Sequence, residues 1–278
     1  TIATRAEGLR ERISDLVNRE REEDFAFRKG REEHAALSKE INSLQRRKSN
    51  IDAAQVRIRD ALCAALSIGE DELPFAGELI QVRDDERDWE GAAERLLRGF
   101  GLALLVPDAH YKAVAEWVDR QHLGARLVYF HVRQKKAAHG AGDARLHPQS
   151  LVRKLVIKPD SPHYEWLGDE LRQRFDVACC DTGEQFRREA RAITRAGQIK
   201  DPSGRHEKDD RSRIDDRSRY VLGWSNADKL RALRDQRERL EGKLATLGQR
   251  IGEVQQARKE LEGHLETLAR LEEFKRFA

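Results

Sequence analysis

Two acidic groups are the first residues whose types and spacing could do chemistry. Asp84, Asp85, Glu86 and Asp88 form one, and Asp209, Asp210, Asp215 and Asp216 the other. Carboxylates hold a metal or work as an acid–base pair only when they converge on one pocket. The first group precedes a helical pattern, where the helix dipole favours negative charge. The second alternates with arginines, which answer its charge locally. Cys179, Cys180 and His206 match no zinc spacing, and His34 has no second ligand placed for it. The cysteines are read as buried and inert. No G-x-x-x-x-G-K-[ST] motif occurs, so the P-loop signature of an ATPase is absent from this sequence. No catalytic, cofactor or metal residue is assigned.

Two basic stretches could contact phosphates. From His131 to Lys158 the chain carries Arg133, Lys135, Lys136, Arg145, Arg153, Lys154 and Lys158 against one acid, Asp143. One-sided charge of this kind suits a nucleic-acid backbone, and these seven residues are the DNA-contact candidates. From Arg187 to Arg219 acids are interleaved with the basic residues. That pattern suits salt-bridge networks or an interface better.

The elements that must position these residues follow from composition and period. Of 278 residues, 37% are charged and 38% hydrophobic, with 53 Lys+Arg against 50 Asp+Glu. Mixed charge with few aromatics favours long solvated helices over one large core. The three cysteines make no disulfide framework, so a reducing cytosol is the simplest compartment. No apolar run approaches the roughly 20 residues of a membrane helix, and no signal peptide is seen. With no methionine in it, the chain reads as a piece of a longer protein.

One heptad phase runs from Leu9 to Leu62 through Ile13, Leu16, Glu20, Glu23, Phe27, Gly30, His34, Leu37, Ile41, Leu44, Lys48, Ile51, Gln55 and Ile58. Steps alternating four and three are the seam of a coiled coil. Polar residues at Glu20, Glu23 and His34, and Gly30, mark loose packing or a specificity device. The period returns from Leu230 to Leu268. Matched lengths predict an antiparallel hairpin with Leu44 near Leu247.

Between the arms the pattern alternates. Strands are predicted at Glu78–Val82, Leu102–Val106 and Arg126–Val132, with helices striped by Trp89, Leu96 and Phe100, then by Tyr111, Val114 and Trp117. The theme repeats: a strand over Leu151–Ile157, a helix striped by Tyr164, Leu167, Leu171 and Phe175, and a strand over Val177–Cys180. Asp181 with Glu184 reads as a capping box. Short strands follow at Ala192–Thr194, Gln198–Ile199 and Tyr220–Leu222. The expected fold is an α/β globule of two similar subdomains at the tip of a long antiparallel coiled coil. Its divisions are 1–65 outgoing arm, 66–145 subdomain I, 146–224 subdomain II and 225–278 returning arm.

The stretches PFAGELIQVRDDERDWEGAAERLLRGFGLALLVPDAHY, AITRAGQIKDPSG and RHEKDDRSRIDDRSRYVLGWSN, with both arms, resemble the hinge and adjoining coiled coil of a MukB-like SMC (structural maintenance of chromosomes) protein. The resemblance is to the JetC/MksB subunits of Wadjet-type condensins. It implies a non-catalytic dimerisation hinge and arm of an ABC-type ATPase that handles DNA loops, restricts plasmids or organises chromosomes. It further implies a bacterial, cytoplasmic setting, and ATP and magnesium only in heads outside this chain. Expected partners are a second copy through the hinge, DNA, and kleisin-type and other condensin subunits through the heads. Hinges of this kind join by exposed sheet edges. The candidate edges are Leu127, Val128, Tyr129 and Phe130, and Ile193, Thr194, Gly197 and Ile199. The alternative is a free-standing ligand-binding or enzymatic α/β domain on a coiled-coil stalk.

Overall fold

Apolar residues at heptad spacing drive two long helices, α1 (Ile2–Arg46) and α7 (Ala227–Phe277). A computed structural model of the chain describes residues 2–133 and 146–277. It contains two compact units, Thr1–Ile41 with Leu233–Ala278, and Asn42–Ala232.

In the first unit α1 and α7 pair antiparallel. Their seam explains its own polar residues. Glu20 accepts from Arg258 Nη1 (2.5 Å) and Gln255 Nε2 (2.9 Å), Glu23 lies 3.9 Å from Arg250, and His34 meets Glu241 at 2.7 Å. Gly30 is buried against α7. A Cβ there would come 2.9 Å from Leu244 Cδ2. The polar patch is therefore a set of cross-helix pairs, and a slip of one heptad would break every one of them.

The second unit holds a break that the heptad phase conceals. α1 stops at Arg46, residues 47–52 are not helical, and α2 (Ala53–Leu66) starts afresh. The single helix expected from Leu9 to Leu62 does not form. Ile51 keeps its seam phase because it is fully buried, but in the globule's core. The predicted level of Leu44 with Leu247 fails for the same reason: the Leu44 carbonyl accepts from Asn226 Nδ2 at 2.8 Å.

The globule is a duplication. In half I, Phe75 bridges Leu104, a 3-10 turn (Ala76–Leu79) leads into β1 (Ile80–Val82), and α3 (Glu90–Gly101), β2 (Leu104–Pro107), α4 (Asp108–Arg120) and β3 (Tyr129–Val132) follow. In half II, Ser150 bridges Ala178, and a 3-10 turn (Leu151–Lys154) leads into β4 (Leu155–Ile157). The order then repeats as α5 (Tyr164–Phe175), β5 (Ala178–Cys180), α6 (Gly183–Arg188) and β6 (Ala192–Thr194). β2 pairs parallel with β3, and β5 pairs parallel with β6. β1 and β4 pair antiparallel across the halves, Gln81 opposite Val156, so equivalent strands meet about a local two-fold. Phe100 and Phe130 of half I pack against Trp166 of half II at centroid distances of 6.4 and 5.7 Å, and Phe100 lies 5.3 Å from Phe175. Each such pair adds about 1 kcal/mol beyond area burial, and one apolar cluster runs through both halves.

Among the described residues only half II extends its sheet, by β7 (Ile199–Lys200) and β8 (His206–Glu207), in the order β5-β6-β7-β8. Several predicted details shift. Leu102 closes α3 rather than opening β2. Leu151–Lys154 is a 3-10 turn because Ser150 Oγ accepts from Val152 N (3.2 Å) and caps it. The capping residue of α6 is Thr182, reciprocated by Gln185, not Asp181 with Glu184. Tyr220–Leu222 is no strand; side chains take its backbone groups instead.

Candidate functional site

Three surfaces follow from this scaffold: the sheet edges, the basic stretch and the root of the returning helix.

β3 ends its sheet among the described residues. Leu104 N donates to Val128 O at 2.9 Å, which turns the N–H and C=O of Tyr129 and His131 away from β2. Of the candidates in this stretch, Val128 spends its carbonyl on β2, and Phe130 sends its ring into the aromatic cluster. Leu127 precedes the strand, and Tyr129 offers the open backbone. The second predicted edge is not an edge. β6, with Ile193 and Thr194, lies between β5 and β7, and β7, with Ile199, lies between β6 and β8. Gly197 turns the hairpin at φ +80. The open strand there is β8, which the alternation of short polar residues hid from sequence reading. Asp201 N donates to Arg205 O (3.1 Å), so His206 points its backbone groups outward.

The basic stretch does not act as one patch. Lys154 is drawn in: its Nζ lies 2.7 Å from Glu86 Oε2 and 5.5 Å from the Trp89 ring centroid. It is no free phosphate contact. Arg153 Nε donates to His147 O (3.1 Å). Lys135, Lys136 and Arg145 lie outside the described residues. Arg133 and Lys158 are exposed, and they line a cleft of about 1460 Å³ with Arg46, Lys48 and the buried His163. That cleft opens where β2 and β3 end and α4 begins. Asp108 at its rim holds His131 Nε2 at 2.6 Å, and the His131 ring stacks on Tyr111 at 3.8 Å.

The acidic groups disperse. Asp84 pairs with Arg87, Asp85 with Arg83, Glu86 with Lys154 and Asp88 with Arg195. Asp209, Asp210 and Asp215 pair with Arg211, Lys208 and Arg213, while Asp216 caps a turn through Ser218 N. The Arg211 guanidinium holds the Asp209 carboxyl far below its usual range. Cys179 and Cys180 are buried, and burial pushes the Cys179 thiol up to about 12. No metal-binding cluster of His, Cys, Asp or Glu occurs among the described residues, and no described helix is long and apolar enough to cross a membrane.

The third surface was missed entirely. Residues 219–223 cross α3 as a strap whose backbone is satisfied by side chains. Glu94, 5% exposed, accepts from Val221 N (2.9 Å) and Leu222 N (2.7 Å). Asn50 Nδ2 donates to Leu222 O (2.8 Å) and Ser225 O (3.0 Å). Lys229, its side chain 2% exposed, donates to Tyr220 O (3.1 Å) and Asn50 O (2.5 Å) and lies 3.5 Å from Asp52. Arg98 donates to Arg219 O. Asn226 Nδ2 caps the end of α1 at Leu44 O and Arg47 O. Gly77 makes room for the strap: a Cβ there would sit 2.7 Å from Val221 O. The only sequence signal was a carboxylate, Glu94, between the apolar positions Ala93 and Leu97 of a helix.

No family model and no curated protein matches the chain. Among solved structures it is similar to the Pyrococcus furiosus Smc hinge domain with an extended coiled coil, at 18% identity and TM-score 0.40, covering 99% of this chain and 97% of that one. It is similar to a Geobacillus stearothermophilus SMC hinge domain in an asymmetric dimer, at 14% identity and TM-score 0.42, covering 91% and 99%. A third similar structure is the folded elbow of cohesin, at 14% identity and TM-score 0.47, covering 99% of this chain and 39% of that one.

Proposed function

We propose that the chain is a dimerisation hinge with its adjoining arms, from an SMC-like protein. One observation carries this. A duplicated α/β globule, placed in sequence between two helices that pair antiparallel, ends two of its three sheets, among the described residues, in the open strands β3 and β8. Unpaired strand edges are natural sites for β-augmentation. Two copies related by a two-fold axis would each offer a β3 and a β8. The role is architectural and non-catalytic, with ATP and magnesium chemistry, kleisin-type subunits and other condensin subunits engaged through heads elsewhere in the protein.

The finer assignment rests on the resemblance of the sequence stretches to MukB-like subunits of the JetC/MksB type. On that resemblance the reading extends to the bacterial cytoplasm and to Wadjet plasmid defence or chromosome organisation. DNA contact is supported by Arg133 and Lys158 alone, which have no carboxylate partner among the described residues, in a cleft that Glu70, Asp71, Glu72, Glu78, Asp108 and Asp160 also line. Light scattering tests the hinge reading: a mass near twice 32.0 kDa supports it, and a monomer at high micromolar concentration contradicts it. Replacing Arg133 and Lys158 by Glu should weaken DNA binding and flatten its salt dependence; unchanged binding would remove DNA from the cleft.

The cleft also favours a second reading, a ligand-binding domain, since α/β proteins bind ligands beyond the carboxyl ends of parallel strands. A thermal-shift screen with nucleotides separates the two: stabilisation supports the ligand reading, no shift the hinge.

A further inference from the structure

His163 is 4% exposed, and its ring has no hydrogen-bond or ion-pair partner among the described residues. Buried polar groups normally have a partner, because leaving one unsatisfied costs free energy. The residue is firmly placed: its N–H donates to Ser161 Oγ at 3.1 Å, and its carbonyl accepts from Leu167 N at 2.8 Å. It lines the cleft of about 1460 Å³ together with Lys158 and Arg133. We propose that this cleft binds a nucleoside phosphate, with His163, Lys158 and Arg133 as donors to the phosphate and Trp224 as the surface for the base. The inference deepens the ligand-binding reading of the cleft and does not depend on dimerisation.

The backbone around the cleft suits an anion. α4 starts in it, at the carboxyl ends of the parallel strands β2 and β3, where α/β folds bind ligands. α4 runs 13 residues and begins without a side-chain cap. The first N–H groups of a helix have no partner within it and favour negative charge. α5 also begins there, with His163 at its N-cap and no side-chain cap. Two helix starts thus meet at one cleft. Burial holds the His163 pKa below its usual value, so near neutral pH the ring is uncharged and offers one N–H.

The formal charges that line the cleft balance, but they are not equally engaged. Glu78 and Glu70 are taken by Arg59, at 2.9 and 3.9 Å, Glu72 by His110 at 2.8 Å and Asp108 by His131 at 2.6 Å. Arg46, Lys48, Arg133 and Lys158 have no carboxylate partner among the described residues, and Asp71 and Asp160 are the acids left over. Cations without carboxylate partners suit a phosphate, and acceptor-only carboxylates suit the hydroxyl and amino donors of a nucleoside. Half-buried Trp224, with Pro74 and Pro162, adds apolar surface on which a base can stack.

Isothermal titration of the full chain with adenosine 5′-monophosphate, adenosine and a short DNA duplex tests this. The monophosphate is expected to bind, and adenosine to bind about tenfold more weakly or less. His163→Phe and Lys158→Gln should each weaken the monophosphate about tenfold, while Arg188→Gln, outside the cleft, should leave it unchanged. A monophosphate that does not bind at millimolar concentration, or binds equally well in both cleft variants, would overturn the proposal. Adenosine binding as tightly as the monophosphate, and lost in His163→Phe, would overturn the phosphate assignment and keep the cleft as a ligand site. A duplex that binds through Lys158 where the monophosphate does not would overturn the proposal in favour of DNA contact. Should His163→Phe fail to fold, Lys158→Gln decides: weakened binding supports the proposal and unchanged binding overturns it.

Discussion

On α3 of half I, Glu94 precedes Leu97 and Phe100; on α5 of half II, Asp169 precedes Arg172 and Phe175 at the same spacing. The two phenylalanines meet across the halves at 5.3 Å. The two acids differ. Glu94 is buried and bonds the strap, whereas Asp169 is exposed and pairs with Arg172 at 2.6 Å. The sheets differ likewise: half I stops at β3 among the described residues, and half II runs on to β8. A duplicated scaffold has been specialised by what is laid on it. Half I receives the root of the returning helix, and half II receives a hairpin that moves its open edge from β6 to β8.

Breaking matched core positions should show how unequally the halves are packed. Leu105 of β2 and Cys179 of β5 both donate their N–H to the preceding bridge segment, and both are buried. Leu105→Ala should cost about 3 kcal/mol in urea unfolding and Cys179→Ala about 1 kcal/mol. Equal losses would mean that the halves share load evenly.

The matched acids separate next. Because folding raises the pKa of Glu94, the folded chain binds the proton more tightly than the unfolded one. This group's contribution is therefore greatest at acid pH and fades as pH rises from 4.5 to about 7, by up to about 3 kcal/mol. Glu94→Gln should remove that slope from the unfolding free energy, and Asp169→Asn should leave it intact.

The strap's fastening should outweigh neighbouring charge. Lys229→Met leaves the carbonyls of Asn50 and Tyr220 without their donor and should cost about 2 kcal/mol. Arg231→Met, at a side chain 75% exposed, should stay within about 0.5 kcal/mol. The smallest effect belongs to half II's surface: Arg188→Gln breaks an exposed pair with Glu184 and should change chemical stability by less than about 0.5 kcal/mol.

Much of the fold was legible because its signals are local. The seam of α1 and α7, the stripe ending in Phe100 and the repeat ending in Phe175 all follow from spacing. The break after Arg46 was not legible, because Ile51 satisfies the seam period while packing into the globule. The edges were misjudged in half II because β8, His206–Glu207, is short and polar, and nothing local shows that it covers β7. The strap was invisible for a related reason. Tyr220–Leu222 has the composition of a strand, but its hydrogen-bond partners, Glu94, Asn50 and Lys229, are scattered along the chain. Lys154 was counted as a free cation because its partner, Glu86, lies in the other half.

The contrast between the two open strands leads to the most direct test. His206→Pro removes an outward-facing N–H from β8 while sparing the bonds to β7, and Tyr129→Pro does the same on β3. Sedimentation equilibrium of the wild-type chain should give a mass near twice 32.0 kDa, and either proline variant, still folded, should fall toward 32.0 kDa. A wild-type chain that stays at 32.0 kDa at high micromolar concentration, or a dimer indifferent to both prolines, would contradict the account.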